Sequence, residues 1–493
     1  MKGLDKMNFK LRLLSIASAL AVLLSSAFTM AGCNDDETNE TTTSATTESA
    51  TESETEVLPD VERKNYEKEF YLHILPDVNP FQFYWAEESK GDILSDAIYT
   101  RQERVRQYLG VDVIGTETGI YNEYIEPFKI AVKNKDESVH TLICHVYGGV
   151  SGLISENYLT DLNEMPGIDL EADYWNQQFM EDLSLNGRNY LGFSDFNLLY
   201  THVVAFNKTM LEQYEENLNE SVYDMVTNYH WTVDKMISLA NLAYIDKTGD
   251  GKTKDDTFGI ASSRWVPFCA LLQSSNINHV EIDESGKYVV APYLEKNRER
   301  TTVLVEKLKA LVASNAGWFW DDRSGNDISF TGGNSLMTLV STYILTSYAE
   351  KDIVFGVLPY PMFDEAQKDV GYRSLQWGGY ICVPTYLGNN TVMVGETLEM
   401  LSFYSDDVIE VFYQKLLGKQ VAESPQDKQM LDIIWDSVCS DFGQTFCEVT
   451  PANTLHLLSY LTAENASQNL ASYMAERERT ANNAYTKFLK KFR

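Results

Sequence analysis

The folded part of the chain opens with short apolar segments that alternate with amphipathic ones, and this alternation limits the fold more than any other feature. Apolar runs of strand length lie at 70–75, 110–115 and 141–146. Helical patterns lie between them, at 95–109 and 121–134. Strands that alternate with helices are typical of a lobe built on a mostly parallel sheet. The sequence therefore predicts an α/β fold.

The end of the third predicted strand is the first candidate binding position. In open parallel sheets, ligands lie beyond the carboxyl ends of the strands. His145 and Tyr147 end this strand, and two glycines follow, where the backbone can come close to a ligand. We expect His145 and Tyr147 to line a site, with a structural role for the histidine as the alternative.

The amino terminus has the features of a secretory signal. Four basic residues precede an apolar run at 13–28, which is short for a membrane span of about 20 residues. The following Met30-Ala31-Gly32-Cys33 resembles the lipobox of bacterial lipoproteins. That resemblance implies that residues 1–32 are a signal peptide and that Cys33 carries acyl chains such as palmitate, which anchor the protein at the extracellular face of the cell membrane. An ordinary signal peptide with an incidental cysteine is the alternative.

The segment after Cys33 has the composition of a disordered tether. Residues 34–62 contain ten acidic residues and no basic residue, and nearly all the others are Thr, Ser, Asn or Ala. Such a stretch buries too little apolar surface to offset chain entropy, and its charges repel one another. We therefore expect residues 33–67 to form a flexible acidic tether between the membrane and a folded domain.

Charge and length exclude one class of partner and indicate the number of lobes. The formal net charge is −32. Nucleic-acid binding requires a basic patch, and the sequence offers none. About 430 residues follow the tether, which is more than one hydrophobic core of ordinary size holds. Two lobes are therefore expected.

The remaining cysteines give little evidence of function. Cys144, Cys269 and Cys382 lie in apolar surroundings and are expected to be buried thiols. Cys439 and Cys447 are near enough in sequence to pair in an oxidising compartment, and the sequence leaves both states open. No pair has the CxxC spacing of a thiolate zinc site.

A series of short motifs extends over most of the folded region in a fixed order. They lie at 147–149, 159–163, 183–190, 203–208, 231, 330–337, 357–361 and 377–379. Their order and spacing resemble those of the extracellular solute-binding proteins of ABC transporters, family 1, the maltose-binding type. The resemblance extends over residues 68–468. It implies a type II periplasmic-binding-protein fold, in which two α/β lobes are joined by crossover strands around a ligand cleft.

The resemblance also implies a division of the chain between the lobes. Residues 68–165 and 329–373 are expected in the first lobe, and residues 166–328 and 374–493 in the second. The crossovers are then expected near Met165, Ile328 and Ser374.

Two tryptophans are candidates for a sugar platform. The faces of a sugar carry C–H groups that pack on aromatic rings, and its rim carries hydroxyls that polar groups orient. Trp377 stands beside two glycines, where a large ring has little role in a helix or strand. Trp265 lies where the resembling family has a cleft loop of the second lobe. Core packing is the structural alternative for both.

Polar candidates lie on a predicted crossover turn. Asp195, Phe196 and Asn197 follow an apolar run and precede a predicted strand. A carboxylate there can accept hydrogen bonds from two sugar hydroxyls, and burial without such partners would be costly. An ordinary surface turn is the alternative for Asp195.

One loop resembles a calcium site in part. Asp246, Asp250 and Gly251 occupy positions 1, 5 and 6 of an EF-hand loop, and Asp256 adds another carboxylate. Position 12 needs a bidentate glutamate but is Thr257. A polar turn is the alternative, and no other cofactor is expected.

No enzyme signature is found. The sequence has no His-Glu-x-x-His motif, and Leu153 stands where a nucleophile elbow at Ser151 needs glycine. The resemblance implies a monomeric, lipid-anchored receptor that captures a solute, most simply an oligosaccharide, by hinge closure and delivers it to an ABC permease. A receptor for a non-sugar solute, a cell-surface glycoside hydrolase and an adhesin are the alternatives.

Overall fold

The computed structural model describes residues 58–74, 83–118, 124–144, 149–197, 200–320, 328–349, 351–417, 424–450, 455–463, 466 and 468–492. Leu58–Arg493 forms one compact unit. Cys33, His145 and Tyr147 lie outside the described residues. Across the described ranges, none of the helices is both long and apolar enough to cross a bilayer.

Strands and helices alternate along most of this unit. The strands are β1 (Lys68–Ile74), β2 (Val111–Glu117), β3 (Thr141–Cys144), β4 (His202–Asn207), β5 (Phe258–Ser263), β6 (Val280–Ile282), β7 (Tyr288–Val290), β8 (Gly317–Trp320), β9 (Ser335–Ser341), β10 (Phe355–Leu358), β11 (Ser374–Leu375), β12 (Tyr380–Cys382) and β13 (Val438–Cys439). The helices are α1 (Ile93–Leu109), α2 (Ile125–Lys133), α3 (Val150–Ser155), α4 (Gln177–Leu183), α5 (Lys208–Leu211), α6 (Val222–Thr227), α7 (Val233–Leu242), α8 (Val266–Ser274), α9 (Glu295–Ala313), α10 (Ile328–Thr331), α11 (Thr342–Tyr348), α12 (Thr391–Phe403), α13 (Asp406–Leu417), α14 (Pro425–Asp436), α15 (Phe442–Thr445), α16 (Leu457–Leu461) and α17 (Leu470–Leu489).

The first large sheet has the order β12-β3-β1-β2. Its first three strands in sequence, β1 to β3, run parallel, and β12 is antiparallel to β3. Alternate side chains of β1, Phe70, Leu72 and Ile74, are fully buried, as expected for a strand whose side chains point to opposite faces in turn. This sheet confirms the predicted α/β arrangement of the opening region.

Helix α1 connects β1 to β2 and has capping groups at both ends. The Asp92 side chain accepts a hydrogen bond from the Ser95 N–H at the amino end. Gly110 ends the helix with φ of 64°, a left-handed conformation that glycine adopts without steric cost, and its N–H donates to the Arg106 carbonyl oxygen. The chain therefore turns directly into β2, as parallel pairing of β1 and β2 requires.

The second large sheet has the order β10-β4-β9-β5-β8. Strands β5, β8 and β9 run parallel, and β4 is antiparallel to both of its neighbours, β9 and β10. Every residue of β4 and β9 is buried, which agrees with the mainly apolar middle of each strand.

Two extended segments connect the sheets and lie beside each other. One contains Tyr200 and Thr201, and the other contains Gln376 and Trp377. Thr201 and Gln376 form an antiparallel bridge, the Trp377 N–H donates to the Tyr200 carbonyl oxygen at 3.0 Å, and the Thr201 hydroxyl donates to the Leu375 carbonyl oxygen at 2.9 Å. We call these two segments the paired crossovers.

The expected division of the chain is wrong in its second part. Segment 329–373 was expected in the first lobe, but its strands β9 and β10 belong to the second sheet. The reason is the pairing of β9, which lies between β4 and β5 and pairs with both. Conversely, β12 and the helix α12, which packs on α1, lie with the first sheet, although 374–493 was expected in the second lobe.

The crossovers accordingly differ from those expected near Met165 and Ile328. The segment after Met165 stays with the first sheet, since Gly192 bridges to Ile381 in β12. The chain reaches the second sheet only at Thr201 and returns after Leu375, close to the expected position at Ser374.

The expected tether also ends earlier than residue 67. Residues 58–67 pack on the folded unit, where Val61 is buried and its carbonyl oxygen accepts a hydrogen bond from the Tyr108 hydroxyl at 2.7 Å. Lys64 and Tyr66 both bind the Glu396 carboxylate of α12, at 2.5 and 2.7 Å. Specific side-chain partners therefore fix a segment that its acidic composition had assigned to disorder.

Candidate ligand cleft

The candidate site lies where the carboxyl-end edges of the two sheets are connected. In the second sheet, the carboxyl ends of β5, β8, β9 and β10 and the amino end of β4 share one edge. In the first sheet, the carboxyl ends of β1 to β3 share an edge with the amino end of β12. The paired crossovers join these two edges, since the Gly379 N–H donates to the carbonyl oxygen of Cys144, the last residue of β3. Ligands of open α/β sheets bind at such edges.

Glycine allows the second crossover to turn into β12. Gly378 and Gly379 have φ of 104° and 81°, a region that residues with side chains rarely adopt. The turn places Trp377 at the junction of the sheets, with its ring only 2% exposed.

Aromatic rings cluster around His202, the first residue of β4. The rings of Trp377, Tyr360 and Tyr200 lie 6.2, 6.3 and 6.3 Å from the His202 ring, all edge to face. Tyr360 follows the carboxyl end of β10, and Tyr200 precedes β4. The sheet edge and the paired crossovers together bring these four rings into one cluster.

The cluster continues to the start of α8. Burial, and after it the neighbouring Cys269 thiol, raises the pKa of Tyr360 well above its usual range. The Cys269 sulfur lies 3.3 Å from the His456 Nδ1, and the His456 ring stacks on Trp265 with 3.6 Å between ring centres. We call Trp377, His202, Tyr360, His456 and Trp265 the ring row.

Several buried polar atoms in and beside the ring row have no hydrogen-bond partner among the described residues. They are both ring nitrogens of His202, the Tyr360 hydroxyl, the Trp265 indole N–H and the side-chain carbonyl oxygens of Gln376 and Gln444. A buried polar group without a partner costs about 1–3 kcal/mol of folding free energy. Such a concentration at a sheet edge is typical of a binding site, where a ligand or water supplies the missing partners.

The electrostatic character of the row centre is neutral. Burial lowers the pKa of His202 to about 3, so the imidazole is uncharged at physiological pH. A neutral imidazole has one donor nitrogen and one acceptor nitrogen. The row can therefore offer flat apolar faces together with uncharged donors and acceptors.

The structure places the predicted residues at different distances from this row. Trp377 and Trp265, which are far apart in sequence, lie at the two ends of the ring row: Trp377 contacts His202, and Trp265 contacts His456. Asp195 is half-buried on a turn beside the first sheet, where its N–H donates to the Tyr174 carbonyl oxygen at 2.9 Å. His145 and Tyr147 lie outside the described residues.

Phe196 and Asn197 pack within the protein. Phe196 is fully buried, with the Arg101 guanidinium 4.5 Å from its ring centre and the Tyr84 ring at 5.5 Å. The Asn197 side-chain oxygen accepts from the Ser194 N–H at 3.1 Å and so shapes the turn. The expected ligand-contacting role of Phe196 is not supported by this placement, because both neighbours cover its ring.

The expected calcium loop has no preformed ligand set. The Asp246 carboxylate accepts hydrogen bonds from the backbone N–H groups of Gly249 and Gly251, and the Asp256 carboxylate accepts from those of Lys247 and Thr253. No group of three His, Cys, Asp or Glu side chains in the described part of the chain is arranged to hold a metal ion. In this structure the carboxylates of Asp246 and Asp256 bind backbone N–H groups of their own loop, and calcium binding by Asp246, Asp250 and Asp256 stays a prediction.

The described cysteines are not joined to one another by disulfides. Cys144, Cys269, Cys382 and Cys439 are buried, and Cys447 is half-buried. In this structure no disulfide joins Cys439 to Cys447.

Sequence reasoning did not find His202, Tyr360 and His456. His202 lies inside an apolar run that was correctly predicted as a strand, and Tyr360 lies in a turn motif. The missing information was strand order, because only the antiparallel placement of β4 between β9 and β10 brings the amino end of β4 to the carboxyl ends of its neighbours.

Similar proteins are found by structure and not by sequence. No protein-family model matches the sequence, and no curated protein matches it. One similar solved structure is the GacH receptor of Streptomyces glaucescens, solved unliganded and with acarbose and an acarbose homolog: 16% identity, TM-score 0.54, 86% of this chain and 98% of that chain. Another is an ABC substrate-binding protein of Listeria monocytogenes in complex with cycloalternan. It is 10% identical, with a TM-score of 0.51, and the match covers 86% of this chain and 98% of that chain. These similarities confirm the predicted type II periplasmic-binding-protein fold.

Proposed function

We propose that this protein binds a carbohydrate, an oligosaccharide, in the cleft between the two sheet edges and serves as the extracellular receptor of an ABC transporter. The observation that carries the proposal is the ring row with its unpartnered polar atoms at the carboxyl-end edge of the second sheet. The ligands of the two similar structures, acarbose and cycloalternan, support the same ligand class.

The chemistry of the row suits a sugar. Aromatic faces pack on the C–H faces of a pyranose, and neutral donors and acceptors orient its hydroxyls. At the centre of the row, the neutral His202 imidazole suits an uncharged ligand group.

Capture by hinge closure is the expected mechanism. The paired crossovers are narrow connections, and rotation about a few residues in such connections moves two lobes toward each other. Ligand groups then satisfy polar atoms of the row, so the closed state is stabilised only when the ligand is present. No covalent bond is made or broken in this cycle.

Membrane attachment and delivery complete the proposal. From the sequence we infer that Cys33 carries the lipid anchor and that the acidic segment after it serves as the tether of the folded domain. The loaded receptor then passes its ligand to permease subunits as a monomer.

A ligand screen tests the proposal directly. Thermal unfolding of the purified protein is followed with linear and cyclic glucans and acarbose, and in parallel with amino acids and short peptides. Because a ligand that binds only the folded state raises the melting temperature by mass action, we expect a shift with a saccharide. A shift with peptides or amino acids and with no saccharide contradicts the proposal, and release of shorter sugars on incubation indicates a hydrolase instead.

The platform role of Trp377 is tested with a matched tryptophan. Trp377→Ala is expected to weaken saccharide binding about 30-fold or more, since central aromatic residues carry much of the binding energy. Trp318→Ala serves as the control, because Trp318 is half-buried and packs on Phe258, away from the ring row. Titration calorimetry on both variants measures the difference, and equal affinities contradict the role.

A further inference from the structure

His202 differs from every other described histidine. His73, His140, His230, His279 and His456 each have a hydrogen-bond partner for a ring nitrogen. His202 is 5% exposed, and neither of its ring nitrogens has a partner among the described residues. Among the described histidines, His202 is therefore the one for which no described residue supplies a hydrogen-bond partner to either ring nitrogen.

The surroundings of His202 do not compensate for this. The rings of Trp377, Tyr360 and Tyr200 each meet the His202 ring in an edge-to-face arrangement. An N–H directed at an aromatic face forms a weak hydrogen bond, which can serve the donor nitrogen. The acceptor nitrogen has no such option, because an aromatic face is itself electron-rich.

The neighbouring polar groups lack partners too. The Tyr360 hydroxyl, on the adjacent ring of the row, is buried and has no partner among the described residues. On the crossover beside Thr201, the Gln376 side-chain oxygen is also buried and unpartnered. The unpartnered polar atoms of the two adjacent rings, the Tyr360 hydroxyl and the His202 ring nitrogens, are therefore uncharged donors and acceptors at the edge of the second sheet.

We propose that His202 is a specificity-determining residue whose two ring nitrogens bind hydroxyl groups of an uncharged saccharide that lies against Trp377 and Tyr360. A hydroxyl both donates and accepts, so two hydroxyls satisfy the donor nitrogen and the acceptor nitrogen of one neutral imidazole. The inference rests on the proposed function and assigns a recognition role within that site to a residue in a buried strand.

Two substitutions separate recognition from folding. His202→Phe keeps a flat ring and removes both nitrogens, and His202→Gln keeps one donor and one acceptor. With the saccharide that gives the largest thermal shift, His202→Phe is expected to lose affinity about tenfold to 100-fold, the effect of two hydrogen bonds, and His202→Gln is expected to recover part of it. The ligand-free His202→Phe protein is expected to melt at the same temperature as the wild type or higher, since a buried unsatisfied group has been removed. His230→Phe, at a partly exposed histidine paired with Glu220, is the control and is expected to bind like the wild type.

Deoxy analogues identify the contact. Single-deoxy forms of the same saccharide are compared on the wild type and on His202→Phe. The deoxy position bound by His202 lowers affinity for the wild type and has no further effect on the variant. The inference is overturned if, at every deoxy position, the loss of binding free energy is the same for the wild type and for His202→Phe. It is also overturned if His202→Phe binds the saccharide as tightly as the wild type, which indicates that only water contacts the His202 nitrogens.

The outcomes also separate this inference from the proposed function. If the wild type binds no saccharide but binds another solute, the proposed function is wrong. If His202→Phe then binds that solute more weakly than the wild type does, the recognition role of His202 still holds. If neither His202→Phe nor His202→Gln folds, the role of His202 is tested by nitrogen NMR of the wild-type protein. The ring-nitrogen signals of the buried histidine are expected to move when saccharide is added, and unmoved signals overturn the inference.

Discussion

His140 and His202 are both buried histidines beside a strand, but they lie at opposite kinds of sheet edge. His140 directly precedes β3, at the amino end of the first sheet, and its Nδ1 accepts a hydrogen bond from the Tyr71 N–H at 3.1 Å. His202 begins β4 at the carboxyl-end edge of the second sheet, and its ring nitrogens have no hydrogen-bond partner among the described residues. Burial lowers the pKa of both, to about 4 for His140 and about 3 for His202.

The difference teaches how to distinguish a structural from a functional buried polar group. A satisfied group stabilises the fold, because its hydrogen bond replaces one to water. An unsatisfied group costs folding free energy, and such costs are concentrated at functional sites. His279 extends the comparison, since it is fully buried and its Nδ1 lies 3.1 Å from the Asp441 carboxylate.

The largest expected loss of stability comes from removing the Asp441 carboxylate, which binds the buried His279. Asp441 accepts hydrogen bonds from the His279 N–H at 2.7 Å and from the Gln444 N–H at 2.9 Å, in addition to the His279 ring. Asp441→Ala is expected to destabilise the protein by about 3–5 kcal/mol, because it leaves buried partners without an acceptor. Urea unfolding measures the loss, with Asp441→Asn as the milder control. A loss below about 1 kcal/mol would mean that satisfied histidines are not structural anchors here.

Acid should destabilise the protein through both compared histidines. Their pKa values in the folded state lie below the value of about 6.5 in the unfolded chain. Their neutral forms therefore contribute stability that is fully present above about pH 6.5 and is lost as the pH falls toward 4 for His140 and 3 for His202. At pH 5 each histidine is expected to account for about 2 kcal/mol of lost stability.

The variants measure these contributions separately. Urea unfolding at pH 7.5 and pH 5.0 is compared for the wild type, His140→Phe and His202→Phe. Each variant should lose less stability on acidification than the wild type, because carboxyl groups respond equally in all three proteins. An unchanged pH response in His202→Phe would show that its imidazole is not held neutral by burial.

At neutral pH the two phenylalanine variants should shift stability in opposite directions. His140→Phe leaves the Tyr71 N–H without an acceptor and is expected to cost about 1–3 kcal/mol. It should leave saccharide affinity unchanged, whereas His202→Phe should lose affinity without losing stability. Chemical unfolding measures the stability of both variants, and titration calorimetry measures their saccharide affinity. If both variants change in the same way in stability and in affinity, the distinction between the two histidines is wrong.

The smallest effect is expected at the packed segment before β1. Lys64 contacts the Glu396 carboxylate at 2.5 Å, but its side chain is one-third exposed and Tyr66 also binds Glu396. Lys64→Ala is therefore expected to cost less than about 1 kcal/mol, with no change in saccharide affinity. Arg106→Ala, at an exposed pair with Glu103, is a matched control. A large change in affinity would show that contacts far from the cleft also affect binding.

Part of the site was predictable because it depends on local patterns. Trp377 beside two glycines indicated a ring on an irregular segment, and the structure gives those glycines positive φ at the crossover. The contacts of Phe196 with Arg101 and Tyr84 were not predictable, because both partners lie far from Phe196 in the sequence. The segment 58–67 was misjudged because composition favours disorder, while the contacts of Lys64 and Tyr66 with Glu396 come from a helix more than 300 residues away.

Local periodicity by itself determined the α/β class of this protein, since apolar strand runs and amphipathic helices follow from neighbouring residues. Tertiary structure alone decided which sheet holds β9, β10 and β12, and therefore which strand ends share an edge. The physical reason is that backbone hydrogen bonds between distant strands set their order, and those bonds carry no side-chain signature. His202 is the clearest case: its sequence neighbours identify a buried strand, and only the position of that strand makes its ring a candidate for recognition.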